Sequence, residues 1–415
     1  MICDSDPPKD THAMRAGPSQ EEIRRHNLGA LLRHVHLGGP ISRAELTSRM
    51  GLNRSTIMAL TADLTAAGLV REELPRETGR AGRPSLVVRP ESARVYVFAF
   101  DVGVDRLVAA RVGLGGTILD RRETVRRRDS FSLEEVVGQL ASFARQMRRK
   151  TRSDTVCVGV AAAFSGGVDR SGGVVRFGPN MGTAGDVPFA EEMTRRLGLG
   201  LRVVVGNDAN LAALAEQTRG VGVGCRDLVY LHGDVGVGGG VIVNGQLLGG
   251  HLGFGGEVGH MIVNPDKGRP CGCGSSGCLE AEVGERALLE AAGRFGSQIG
   301  RDAVRAVVDA ADRGDIVAQA ALNRVGDWLG LGVANLVNLF NPEMVVFGGM
   351  LREIYLGSAA QVRSRLAVDA LPPCREHLRL RTSALGDDAT LVGAAELAFS
   401  QVLADPLEVL ARAGS

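Results

Sequence analysis

At 415 residues, with 44% hydrophobic but only 4% aromatic side chains, the chain is long enough for two or three compact units whose cores are built from Ala, Val and Leu. A net charge of +1 excludes a uniformly basic nucleic-acid coat, so any such surface must be local. The seven cysteines, with Cys3, Cys157, Cys225 and Cys374 scattered, do not form a disulfide framework. With no apolar leader and no run of about 18 apolar residues, a cytoplasmic protein with no membrane association is expected.

Residues 1–20 mix Pro, Asp, Lys and Ser without periodicity and read as a disordered tail. From Glu21 the pattern is helical, with Ile23, Leu28, Leu31, Leu32 and Val35 on one face until Gly38-Gly39-Pro40. Ser42-Arg43-Ala44-Glu45 reads as a capping box opening a second helix. Asn53 caps a third helix that carries Ile57, Leu60 and Leu64 and stops before Gly68. Strands at 69–71 and 86–88 then enclose a loop with Arg76, Arg80 and Arg83 among Gly79, Gly82 and Pro84.

This is the outline of a winged helix-turn-helix over residues 21–90, whose third helix enters the major groove. The segment holds eleven arginines against seven acids, 11 − 7 = +4, on a chain of net +1. That asymmetry is the electrostatic footprint of DNA binding, and operator DNA is the expected partner. Asn53, Arg54, Ser55 and Thr56 at the start of the third helix are the candidate base and phosphate contacts, with Arg80 and Arg83 reaching from the wing. Plain capping is the competing role for Asn53 and Ser55.

After Pro90 the text becomes Gly-rich α/β. Strands are expected at 95–101, 107–112, 117–124 and 155–161, with a helix over 133–151. Residues 228–232 are again apolar, 233–240 read as a glycine turn, and 241–243 return, so internal duplication is the simplest account. Two such units would set two Gly-rich turns opposite one another across a cleft. Between Gly256 and Glu280, His260, Cys271, Cys273 and Cys278 place one imidazole and three thiols within reach of one ion. That donor set suits a closed, structural, tetrahedral Zn2+. Gly272, Gly274 and Gly277 would let the loop wrap it.

Taken together, Ser42-Arg-Ala-Glu-Leu46, Gly79 to Pro84, Asn207 to Glu216, Gly256-Glu-Val-Gly-His260, the cysteine loop, Asn341-Pro-Glu343 and Phe347-Gly-Gly349 resemble the ROK family (repressors, open reading frames, kinases), and its DNA-binding branch in particular. The resemblance implies an α/β chain in which the winged helix-turn-helix precedes a two-lobed, actin-like (ribonuclease H-like) sugar-kinase-type domain over 91–400. Its lobes would span about 91–210 and 211–385, with a C-terminal helix returning to the first, and the chain would form a homodimer or homotetramer. Matched motif to motif, the sugar hydroxyls would be held by Asn180, Asn207, Asp208, Glu257, His260 and Glu280, with Gly167 close by. His260 would bind zinc through one ring nitrogen and offer the other to the sugar.

Asp208 is the general-base position of the family's kinases. Their phosphate turns read Asp-x-Gly-Gly-Thr and Gly-Thr-Gly, whereas this chain has Asp101-Val-Gly-Val-Asp105 and Asp234-Val-Gly236. Both turns lose a hydroxyl donor and gain a carboxylate where ATP phosphates would sit. The reading is therefore a sugar-responsive repressor whose kinase-like domain senses without catalysing. The alternatives are an active ATP-dependent sugar kinase carrying a DNA-binding domain, and a regulator that answers a protein partner.

Overall fold

The computed structural model describes residues 19–75, 85–128, 130–182, 185–294, 296 and 299–413. Residues 1–18, expected as a disordered tail and including Cys3, and residues 76–84, which include the expected wing contacts Arg80 and Arg83, lie outside them.

Helix α1 (Gln20–Gly38) is followed by β1 (Ile41–Ser42), α2 (Arg43–Met50), α3 (Arg54–Ala66), β2 (Val70–Glu73) and β3 (Val87–Pro90). The strands form a small antiparallel sheet in the order β1-β3-β2. Leu28, Leu31, Leu32, Val35, Leu46, Ile57, Leu60 and Leu64 fill the space among them. Two details depart from the sequence reading. Ile23 is exposed, because the first turns of α1 project past this core. Only half of the expected box at α2 forms: Ser42 accepts from the Glu45 amide at 3.1 Å, but the Glu45 carboxylate pairs with Arg49 at 2.5 Å. The reciprocal box is found instead at Ser19 and Glu22, opening α1.

The rest of the chain makes two five-stranded sheets. The first comprises β4 (Val95–Val102), β5 (Arg106–Gly113), β6 (Ile118–Val125), β7 (Val156–Phe164) and β10 (Val203–Asn207), in the order β10-β7-β4-β5-β6. The second comprises β11 (Leu228–Gly233), β12 (Val237–Val243), β13 (Gln246–Leu247), β14 (Met344–Gly349) and β15 (Arg379–Thr382), in the order β13-β12-β11-β14-β15. In each, the first strand is antiparallel to its hairpin partner and parallel to the next strand inward. The same order and sense recur, which is the duplication visible in the sequence.

A short hairpin, β8 (Gly167–Asp169) and β9 (Val174–Phe177), projects from the first unit, whose helices are α4 (Leu133–Arg148) and α5 (Phe189–Leu197). Helix α6 (Asp208–Arg219) leads to the second unit, covered by α7 (Leu279–Val283), α8 (Glu285–Ala291), α9 (Arg301–Asp312), α10 (Ile316–Phe340), α11 (Met350–Asp369) and α12 (Pro372–Arg375). Helices α13 (Ala389–Ala404) and α14 (Pro406–Ala413) close the chain.

Of the residues read as a glycine turn over 233–240, Gly238, Gly239 and Gly240 belong to strand β12. Their role is close approach. A Cβ at Gly240 would lie 2.5 Å from the Ala213 Cβ on α6, and one at Gly239 would lie 2.3 Å from Val258. Helix α13 also packs on α6: a Cβ on Gly393 would fall 1.9 Å from the Leu211 carbonyl oxygen. Its other side reaches α1, where a Cβ on Gly29 would fall 2.6 Å from the Leu403 carbonyl oxygen. Leu28, Leu31, Val35, Val95, Val97, Leu391, Phe399 and Val402 accordingly belong to one hydrophobic cluster. The winged helix is seated on the kinase-like domain through a shared core. Gly393→Ala should lower stability by about 3 kcal/mol, the upper range for overpacking, because the obstacle is the Leu211 backbone; a melting temperature within a degree of the parent protein would show that the two helices separate easily.

Candidate ligand site and metal centre

Between the two sheets, one cleft is walled by Ser165, Gly166, Gly167, Phe177, Asn180, Asn207, Asp208, His232, Asp234, Glu257, His260 and Glu280. The structure thus brings together Gly167, Asn180, Asn207, Asp208, Glu257, His260 and Glu280, all seven positions that the resemblance assigns to a sugar. Ser165, Phe177 and His232 were not singled out in the sequence. Ser165 and His232 lie near strand ends that open on the cleft, which is the signal that could have found them.

The wall is built on the first turn of α6. Asn207 is its N-cap, accepting from the Asn210 amide at 3.0 Å, while its side-chain NH2 donates to the Gly166 carbonyl and to Asp208, each at 3.1 Å. Both ends of this amide are therefore occupied, and Asn207 holds the turn at Gly166 against α6. Asp208 accepts from the Ala209 amide at 2.7 Å. Burial foremost, with the Asp101 and Asp234 charges adding to it against that hydrogen bond, pushes its pKa up to about 7.

Glu280 spans the cleft. Its carboxylate accepts from the Val237 amide at 3.0 Å and from Asn180 at 3.4 Å. A Cβ on Gly236 would lie 2.2 Å from that carboxylate, which is why the turn before β12 carries glycine there. The other Glu280 oxygen is 3.5 Å from the Cys271 sulfur, so the cleft wall and the cysteine loop are one piece.

In that loop the donor atoms of His260, Cys271, Cys273 and Cys278 all lie within 4.8 Å of one another. The His260 Nδ1 to Cys271 Sγ separation is 3.6 Å and Cys273 Sγ to Cys278 Sγ is 3.7 Å. A tetrahedron with metal–sulfur bonds of about 2.3 Å requires sulfur–sulfur edges of roughly 3.8 Å, so these four residues can hold a metal ion. Because Nδ1 faces the thiols, Nε2 is the nitrogen left for a ligand. Gly274 and Gly277 have φ of 91° and 75°, as wrapping requires. Gly272 is not among the positive-φ glycines, contrary to the sequence reading.

The two turns that would meet a nucleotide face each other: a Cβ at Gly103 would be 3.8 Å from an Asp234 oxygen. Asp101 accepts from the Thr390 hydroxyl at 2.9 Å and lies 3.5 Å from Arg106. Asp105 is paired with Arg128 at 3.0 Å, and Arg128 reaches across to Glu285 at 2.9 Å. Burial first, then the Asp105 charge, pushes the Asp234 pKa up to about 6. Gly348 and Gly349 are needed for packing on β11, since Cβ atoms there would fall 1.7 Å from the Tyr230 hydroxyl and 1.9 Å from the Gly233 carbonyl oxygen.

On α3, the Asn53 side chain accepts from the Thr56 amide at 2.8 Å and from the Ser55 hydroxyl at 2.7 Å, so capping is its structural role. Arg54 and Ser55 are exposed, as is Met58 one turn on, an exposed apolar side chain that the sequence reading missed.

A family model described as ROK family matches residues 97–401, and one described as MarR family matches residues 29–81. The chain belongs to the ROK family. It is 28% identical over 386 residues to the xylose repressor of Bacillus subtilis, covering 92% of this chain and 97% of that one. It is 26% identical over 386 residues to the DNA-binding transcriptional repressor Mlc of Escherichia coli, covering 90% and 93%. With the glucokinase of Thermotoga maritima it shares 34% identity over 280 residues, covering 64% and 85%. A crystal structure of a ROK family transcriptional regulator, a homologue of the E. coli MLC protein, superposes with a TM-score of 0.76 at 25% identity over 94% of this chain and 100% of that one. A glucokinase from Streptomyces griseus with glucose and AMPPNP gives 0.62 at 29% identity over 73% and 99%. The architecture is thus a winged helix-turn-helix of MarR type followed by the actin-like sugar-kinase fold.

A carboxyl whose folded pKa is raised destabilises the fold once ionised: no penalty exists below the unfolded pKa of 3.8, it grows as pH rises to about 7, and it is constant above. Asp208→Asn removes that term, on the order of 4 kcal/mol at most. The variant's melting temperature relative to the parent protein should therefore climb between pH 4 and pH 7 and level off above; a difference independent of pH would contradict the burial of an ionisable Asp208.

Proposed function

We propose that this chain is a sugar-responsive transcriptional repressor whose kinase-like domain senses its effector without phosphorylating it. One observation carries the reading: the polar wall suited to a polyol is complete, while both turns facing the nucleotide side carry carboxylates, Asp105 and Asp234, and no hydroxyl. Phosphoryl transfer depends on donors and positive charge around the phosphates, and an anion in each turn opposes it. Paired amide, imidazole and carboxylate groups on rigid elements recognise hydroxyls by direction. Repressor and MLC-like relatives matching over 90–94% of the chain support the same reading.

In this account the ion is Zn2+, and its work is structural: it fixes the aim of His260 and, through Cys271 and Cys278, the place of Glu280. The reader is α3. Arg54, Ser55 and Thr56 approach bases and phosphates, Met58 offers an apolar contact of the kind a thymine methyl accepts, and Asn53 holds the helix start. Arg80 and Arg83 supply the wing. A homodimer or homotetramer in the cytoplasm would read a two-fold operator.

The active-kinase alternative rests on the glucokinase relatives, and one assay separates the two. Xylose or glucose should raise the melting temperature, while a coupled assay with ATP and the same sugars should show no turnover above background; turnover abolished by Asp208→Asn would replace this reading with a kinase. Cys273→Ser should lose about one zinc per chain and with it the sugar-induced thermal shift, a loss that zinc-loop function requires; an undiminished shift would detach the metal from the sugar wall. Arg54→Ala should weaken operator binding about three- to tenfold and reduce its salt slope by about one, as measured by titration at several salt concentrations.

A further inference from the structure

Helix α6 touches both functions. Its N-terminal end, Asn207 and Asp208, lies in the ligand cleft. Its last residue, Arg219, enters a polar cluster against α1 of the winged helix. There Arg219 donates to Glu396 of α13 at 2.5 Å, to the Gly115 carbonyl at 3.1 Å and to the His36 carbonyl at 3.2 Å. His36 is fully buried, and Glu396 is 8% exposed.

Both ring nitrogens of His36 are engaged. The Gly115 amide donates to Nδ1 at 2.9 Å, and the Arg219 guanidinium lies 2.8 Å from Nε2. The same Nε2 lies 3.1 Å and 3.2 Å from the two oxygens of the Glu396 carboxylate. Arg219 and His36 thus meet at one carboxylate, and His36 of α1 is held through its ring and its carbonyl by elements of the kinase-like domain. Leaving any one of these groups unpartnered costs far more than the net worth of the bond it made. The cluster therefore has few tolerable arrangements, which is the property a two-state joint needs.

Between its ends α6 has no freedom to bend. Its twelve residues span about 18 Å at about 1.5 Å per residue. Ala209 and Ala213 sit against glycines of β12, Leu211 against Gly393. Glu216 is fully buried and accepts from the Ser383 hydroxyl at 2.6 Å and from the Leu385 and Val221 amides at 3.0 Å and 2.9 Å. A displacement at Asp208 is passed to Arg219 as a rigid shift.

We infer that α6 is the coupling element between effector and operator, and that Arg219, with His36 and Glu396, is the positioning joint that converts movement of α6 into movement of α1. This rests on the function proposed above: the effector must bind at Asn207 and Asp208, and α1 must belong to the DNA reader. Coupling is a free energy distinct from either affinity, so the joint can be broken while both binding sites remain.

The test uses the full chain, xylose and glucose as effectors, and a duplex selected by the wild-type protein from a randomised library. Wild type should show a sugar-dependent ratio of operator affinities; if it shows none with either sugar, the proposed function fails and the inference with it. In Arg219→Met the sugar affinity should stay within about twofold of wild type while the ratio falls to within about twofold of unity. The sugar-induced change in amide exchange over residues 28–37 should vanish with it. A wild-type ratio surviving in Arg219→Met overturns the inference and leaves the function intact. Because that variant can lose its fold, Glu396→Gln provides an isosteric second arm with the same expected loss of ratio; a fully retained ratio there also overturns the inference, since a merely structural role would lower stability and leave the ratio alone.

Discussion

The close packing of α6 is the constraint from which the rest of the structure follows. Glycines at 238, 240 and 393 remove side chains so that β12 and α13 can lie directly on its backbone and alanines. A helix so enclosed can neither bend nor unwind without opening voids or forcing backbone into backbone, so it moves only as one piece. Its N-cap, Asn207, is consequently held rigidly to the rest of the helix, and the polar wall of the cleft is built outward from it. The same enclosure makes α13 an intermediary. It presses on α6 with one face and receives α1 with the other, so the reader domain shares the core of the first sheet.

The chemistry of the cleft divides at Asp208. On one side stand Asn180, Glu257, His260 and Glu280, with the cysteine loop directly behind them. Glu280 is held by the Val237 amide and Asn180 and also approaches Cys271. Stiffness of the loop thereby becomes stiffness of the wall. On the other side Asp101, Asp105 and Asp234 crowd together, and the cations near them are already engaged. Arg128 bridges Asp105 to Glu285, and Arg121 binds Asp388 at 2.6 Å. The Arg128–Glu285 pair ties the first unit to the second on this side of the cleft.

Much of this was legible in the sequence because its signals are local. Three cysteines within eight residues and an upstream histidine mark a candidate metal loop, and their donor atoms meet in space because the intervening chain is short. Asn53 and Ser42 announce helix starts through hydrogen bonds made within three residues. What escaped is what depends on distant partners. His36 reads as one more residue on an amphipathic helix; its partner Glu396 is 360 positions away. Strand β1 exists only because Ile41 pairs with Val88. Gly238 to Gly240 were read as a turn because glycine is required equally by positive φ and by close approach, and sequence does not distinguish the two. The polar wall of the cleft was read through the family resemblance, since hydroxyl-binding side chains have no spacing rule of their own.

A sensor of this design has a thermodynamic signature that no kinase and no constitutive repressor shares. Effector and operator must change each other's affinity by the same factor, because both act on one equilibrium. The direct measurement is therefore paired: operator affinity with and without saturating sugar, and sugar affinity with and without saturating operator, on one preparation at one salt concentration. The account predicts equal factors, different from one. Sugar that binds the cleft tightly while leaving operator affinity unchanged would contradict it.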